Sequence, residues 1–183
     1  MNGVLIGEHK GGYDPFSFDV TPYLKKSGKQ TVRVKVQDAT DNGYQPRGKQ
    51  VSNPSGIWYT PVSGIWQTVW LEPVGEKHIA NLRILPDVDR NILKVDACVT
   101  DHDATDMLEV NVYDGNQLVA SGKSINGEPV DVAMPEDVKL WSPDSPFLYT
   151  LKVALINKGK VVDKVDSYAA MRKFSSRRDE NGI

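Results

Sequence analysis

The sequence is poor in the features that would assign it quickly. Among 183 residues there is one cysteine, Cys98, which excludes an intrachain disulfide and says nothing firm about compartment. No apolar run approaches the ~20 residues that a membrane-spanning helix needs. Charge of one sign is lacking too. With 22 Lys and Arg against 24 Asp and Glu the net charge is −2, so there is no electrostatic footprint for nucleic acid. No segment longer than a turn or two carries apolar residues at helical spacing. The three histidines, His9, His78 and His102, stand apart, and no Ser or Cys lies in a motif that activates a nucleophile. No cofactor motif, internal repeat or low-complexity tract is present. The opening MNGVLIGEHK lacks a basic leader and a long apolar core, so it does not read as a signal peptide. Asn2-Gly3 reads instead as a hairpin turn, as though Met1 stood in the middle of a domain.

What is present is turn chemistry between short apolar runs: 15 Gly, 11 Pro, 39% hydrophobic and 25% charged residues. This is the composition of an ordinary globular protein with many turns. Alternation predicts strands at Val4–Ile6, Phe16–Val20 and Val32–Val36, and Thr21-Pro22 predicts one helical turn through Leu24 with Thr21 as its cap. Val74–Lys77 reads as a linker. Beyond it seven strands are predicted: 79–85, 92–100, 107–114, 117–123, 129–134, 147–157 and 160–170. Asp114-Gly115 and Asn157-Lys158-Gly159 supply hairpin turns. Leu93, Val95, Ala97 and Val99 share one face, leaving Cys98 on the other; Tyr149, Leu151, Val153 and Leu155 form a second such face. After Met171 the chain turns basic and polar, as a departing tail would.

Two stretches invite a functional reading. Gly56–Leu71, GIWYTPVSGIWQTVWL, gathers Trp58, Tyr59, Trp66 and Trp70 in two β-favouring runs. The indoles have two uses, packing in a core or domain seam, or stacking sugar rings. Asp38–Ser55 has no period and carries Gly, Pro, Asn and both charge signs; loops of that length inside a compact domain are more often functional than idle. Its carboxylates, amides, Arg47 and Lys49 suit sugar hydroxyls or one acidic sugar group. The alternative is a surface loop that packs on a neighbouring domain. Asp101-His102-Asp103 with Asp106 has hard-ligand chemistry, but between two strands it reads as a solvated turn rather than a metal site. Trp141 and Tyr149 are expected to be structural.

SGIWQTVWLEPV, preceded by GGYDPFSFDVT and DATDNGYQPRGKQ, resembles the non-catalytic front half of glycoside hydrolase family 2, which includes β-galactosidases, β-glucuronidases and β-mannosidases. LWSPDSPFLYTLKV (140–153) looks like that family's sandwich signature, and YAAMRKFSSRRDENGI (168–183) is similar to the passage leading into its catalytic barrel. The resemblance implies an all-β chain: the C-terminal part of a jelly roll over 1–75, an immunoglobulin-like β-sandwich over 76–175, and a tail over 176–183 leading towards an absent barrel. On that expectation the chain is an excised piece of a longer protein or a reading frame broken at both ends, the longer protein being periplasmic or secreted. No catalytic residue is expected, because none of the 24 acidic residues lies in a segment like the family's catalytic motifs. The resemblance further implies that loops of the first domain reach over the barrel mouth, with Asp41 at a family aspartate position. The candidate carbohydrate contacts are Asp41, Arg47, Lys49 and Gln50, with no metal and no cofactor. Carbohydrate and the missing barrel are the expected partners, and exposed strand edges in 1–75 suggest self-association. Two functions are carried forward: an accessory piece of a β-galactosidase-like enzyme, or a free-standing carbohydrate-binding or adhesion module with a tryptophan face.

Overall fold

Alternation and turn chemistry build the second half of the chain almost strand by strand. The computed structural model describes residues 1–176, 178 and 180, so the expected tail at 176–183 falls largely outside the described residues. The chain divides into two compact units, Met1–Leu71 and Glu72–Ile183.

The second unit holds β1 (Ile79–Asp87), β2 (Ile92–Val99), β3 (Asp106–Asp114), β4 (Gln117–Ile125), β5 (Val130–Ala133), β6 (Tyr149–Asn157) and β7 (Lys160–Ala169). One sheet has the order β1-β2-β5, the other β4-β3-β6-β7, and every pairing is antiparallel. Three strands face four, an immunoglobulin-like sandwich. The inward faces follow from period 2: Leu93 and Val95 pair with Val132 and Val130, while Leu108, Val110 and Val112 pair with Leu155, Val153 and Leu151. All ten are fully buried or within 1% of it. Burial of each such aliphatic chain contributes about 1.5–3 kcal/mol, which makes this face the main source of stability. Lys158 and Gly159 both adopt positive φ, 48° and 75°, as a two-residue β6–β7 hairpin turn demands. Gly122 of β4 is a close-approach position, since a Cβ there would fall 2.7 Å from Val130 Cγ1 of β5.

The packing anchors are placed as expected. Tyr149 is buried, accepts a hydrogen bond on its hydroxyl from the Lys139 N–H at 2.8 Å and meets Phe147 edge-on. Trp141 is half-buried under the Arg172 guanidinium, 4.2 Å from the ring centroid. The departing tail begins later than its composition suggests. Met171 is fully buried and bridges Leu140, and Lys173 reaches Asp89 at 2.6 Å. A side chain inserted in the core holds this stretch, whatever the polarity of its neighbours.

The first unit contains one 3-10 turn, Thr21–Tyr23, and no strand ladder. Its helical turn is capped differently from the expectation: the Asp19 carboxylate, not the Thr21 hydroxyl, receives the Thr21 N–H at 2.8 Å. The alternating runs at 4–6, 16–20, 32–36, 57–60 and 65–71 are present without partners to hydrogen-bond across, apart from one bridge between Gln50 and Tyr59. Alternation sets which face a residue would show, but a strand also requires a neighbour.

Candidate functional site

The loop from Asp38 to Gln50 is built by its own side chains. Thr40, Gly43 and Gly48 take positive φ of 54°, 117° and 59°, which fold the segment back on itself. The Gln45 amide ties the bend together by donating to the Thr40 and Asn42 carbonyls at 3.0 and 3.1 Å. The end of the loop is stitched to the tryptophan segment: Tyr59 N–H donates to the Lys49 carbonyl (2.8 Å) and Val51 N–H to the Tyr59 carbonyl (3.2 Å). Gln50 Oε1 accepts the Val62 N–H at 2.7 Å.

Each sequence-predicted residue has a definite place. The Asp41 carboxylate accepts the Ser52 hydroxyl at 2.6 Å and the Ser52 N–H at 3.2 Å. Those two donations, with the Arg47 charge behind them, hold its pKa below the usual carboxylate range. Arg47 donates to the Asp41 carbonyl at 3.3 Å and lies 5.7 Å from the Trp58 ring centroid, at the outer reach of a cation–π contact. Arg47 and Gln50 border a shallow hollow of about 180 Å³ together with Asp38, Thr40, Tyr13 and Pro61. Asp41 and Lys49 do not line it; Asp41 is committed to Ser52, and Lys49 is exposed. Asp38, not singled out by sequence, does face the hollow. The Thr40 N–H and the Ser63 hydroxyl both donate to it and lower its pKa, so it stands as a fixed anionic acceptor. Ligand pockets for drug-sized molecules run to roughly 300–1,000 Å³, so this hollow suits one small polar ring at most.

The tryptophans do not form a core in this unit. Trp66 and Trp70 are 70% and 72% exposed and Trp58 39%, so none of the three is a core residue of this unit. Trp66 donates its indole N–H to the Gly12 carbonyl at 2.7 Å, so its orientation is set by a hydrogen bond rather than by burial.

The acidic turn of the second unit is not the solvated turn that its sequence suggests. Asp106 is 1% exposed, and its carboxylate gathers the Lys77 ammonium (2.9 Å), the Asn157 amide (2.7 Å), the Asp103 N–H (2.9 Å) and His102 Nδ1 (3.1 Å). Lys77 also bonds Asp103 Oδ2 at 3.2 Å and the Asp101 carbonyl. The cation among these carboxylates is therefore an ammonium from the protein itself. No group of three or more His, Cys, Asp or Glu among the described residues is disposed to hold a metal ion. Burial works to raise the Asp106 pKa, but the hydrogen bonds from Asp103, Lys77 and Asn157 outweigh it and the net shift is downward. No local signal announces this cluster, because its members come from residues 77, 101–106 and 157.

The sandwich and the separate polar, hydrogen-bonded loop define an all-β protein of two units. The chain belongs to glycosyl hydrolases family 2, whose model matches residues 77–172, the sandwich itself. It is 32% identical to a putative beta-glucuronidase of Formosa agariphila over 95% of this chain and 21% of that protein. It is 27% identical to a beta-galactosidase of Thermoanaerobacter pseudethanolicus over 98% of this chain and 25% of that protein. Among solved structures, an FMN-binding beta-glucuronidase from Facaelibacterium prausnitzii L2-6 aligns with 53% of this chain and 17% of its own at 21% identity and TM-score 0.45. The chain thus spans about a fifth to a quarter of the length of the curated relatives it matches.

Proposed function

We propose that this chain is the non-catalytic supporting region of a family 2 glycoside hydrolase, with β-galactosidase-like activity residing in a catalytic barrel outside the sequence. The sandwich buttresses that barrel, and the Asp38–Gln50 loop is lent to its sugar pocket. The observation that carries this reading is the coincidence of the family match, residues 77–172, with the one extensive core among the described residues. The loop supports it further: Asp38 offers a fixed acceptor, and Arg47 and Gln50 offer donors around a hollow sized for one ring. Asp41 acts within the loop, by bracing it through Ser52. Hydrolysis in the parent rests on two barrel carboxylates, about 5–5.5 Å apart for a retaining enzyme.

A second reading has one observation in its favour. Trp66 and Trp70 present their indoles to solvent, which is what a free-standing carbohydrate-binding or adhesion module would do with them. An NMR titration of the labelled chain with galactose, mannose, glucose and glucuronate separates the two. Shifts confined to Asp38–Gln50 support the lent loop; shifts centred on the Trp66 and Trp70 indole signals transfer the function to the binding module. Silence at both sites to tens of millimolar sugar removes the sugar contact from the proposal.

A further inference from the structure

The sandwich keeps hold of the chain after its last strand ends. β7 closes at Ala169, yet the period of a strand runs on: Ala169 and Met171 are buried, and Arg172 and Phe174, two positions apart, fall together on the other side. Met171 sits in the core, bridges Leu140 and accepts the Trp141 N–H at 2.9 Å. Residues 172–174 make no main-chain hydrogen bond among the described residues, so side chains alone hold them.

Two side-chain attachments hold this stretch, and they are not equal. Lys173 meets Asp89, in the β1–β2 turn, at 2.6 Å, but both side chains are exposed, and ion pairs in that setting contribute little. Arg172 is half-buried. Its guanidinium carbon lies 4.2 Å from the Trp141 ring centroid and 4.1 Å from that of Phe174, well inside the ~6 Å reach of a cation–π contact. Two rings cannot share one face of so small a group, so one lies on each face and Arg172 is the middle layer of three. A planar, delocalised guanidinium suits that place, and an ammonium does not. Phe174 is 80% exposed, so its ring is placed by the arginine beside it rather than by burial.

We infer that Met171–Phe174 is a locking strap, in which Arg172, clasped between Trp141 and Phe174, fixes the heading of the chain as it leaves the sandwich. Relative motion is the default where a chain leaves a domain. Without the clasp that freedom would begin at Arg172, directly after the last core side chain. With it the fixed stretch reaches Phe174, and the first pivot lies beyond that residue. The sandwich then carries the departing chain with it as one body, instead of trailing it from a joint at the end of β7. The strap shares no residue with the 38–50 loop and stands apart from the sugar reading.

The test is backbone relaxation and tryptic cleavage on the full labelled chain. Order parameters at 172–174 are expected near the ~0.85 of rigid backbone, and Arg172→Ala is expected to drop them below about 0.6 while β6 stays rigid. Cleavage of the Lys173–Phe174 bond should quicken roughly tenfold or more in that variant, because it tracks the open population. Arg172→Lys keeps the charge and gives up the planar stack, and is expected to loosen 172–174 as Arg172→Ala does. Upfield displacement of the Arg172 side-chain resonances, from ring currents on both sides, is the spectroscopic mark of the stack. Should Arg172→Ala loosen β6 as well, Phe174→Ala, which removes only an exposed ring, takes its place and must loosen 173–174. A wild-type chain already below about 0.6 at 172–174, no change in Arg172→Ala, or full rigidity in Arg172→Lys or Phe174→Ala overturns the inference.

Discussion

The two units are made of similar material and come to opposite ends. Glu72–Ile183 assembles fifteen buried apolar residues between two sheets, from Ile79 to Met171. Met1–Leu71 has runs of equal alternation, such as Val32-Arg33-Val34-Lys35-Val36, and leaves them in solvent. The difference lies in pairing. In the sandwich every strand finds a neighbour a few residues away through a tight turn or across the sheet, as β3 finds both β4 and β6. In the first unit the alternating runs are separated by Gly- and Pro-containing loops, and none returns to pair with another. Hydrophobic pattern is thus necessary for a sheet and does not suffice for one.

The largest test of that contrast is a core truncation. Leu151→Ala removes a fully buried side chain from the centre of β6, where Val112 pairs with it. The expected loss is about 2–5 kcal/mol by urea unfolding. A loss under about 1 kcal/mol would mean that the sandwich is not the cooperative unit of the chain.

Next in size is the buried carboxylate. Asp106→Ala leaves the Lys77 ammonium, the Asn157 amide and the Asp103 N–H without their common acceptor, and costs about 3 kcal/mol in the same unfolding assay. Tethering is a second consequence. Lys77 stands two residues before β1, so amide exchange at 76–79 should accelerate in the variant while the centre of β6 stays protected. Uniform acceleration would show a general loss of stability instead.

These results would also explain what the sequence could convey. The seven sandwich strands are legible from it because each is a period-2 run bounded by turn residues, and their ends fall within a few residues of expectation. The buried carboxylate is not legible, because a turn written Asp-His-Asp looks the same whether water or Lys77 faces it. The loop is legible as a polar, irregular stretch, and its internal roles are not. Ser52 lies eleven positions from Asp41, and nothing in the sequence ties the two. In the first unit the strand pattern misled for the same reason: pairing is non-local information.

Acid provides a smaller and graded effect, with a definite sign. Asp103, through the Thr105 hydroxyl and N–H and then Lys77, titrates below its ordinary range, and Asp106 shifts in the same direction. A depressed native value means that the unfolded chain takes up protons first. The stabilisation is therefore complete above about pH 4 and is lost as pH falls through the native values. Lys77 has the opposite sense: burial works to lower its value, its bonds to Asp106 and Asp103 outweigh this, and the net shift is upward. Its contribution is present below about pH 10.4 and is lost only as pH rises beyond that. Stability should be flat from about pH 5 to 10 and fall in acid, and Asp106→Asn should flatten the acid limb. An acid limb unchanged in Asp106→Asn would assign acid unfolding to other carboxylates.

The smallest effect belongs to the largest side chain. Trp66→Ala removes an indole that is 70% exposed and held by one hydrogen bond to Gly12. Burial energetics would give a core tryptophan a cost of about 3–5 kcal/mol on truncation to alanine. An exposed one away from any packed surface should change the unfolding free energy by no more than about 0.5 kcal/mol. A cost of several kcal/mol in the free chain would instead place Trp66 in a core that Met1–Leu71 already possesses, and the contrast between the two units would collapse.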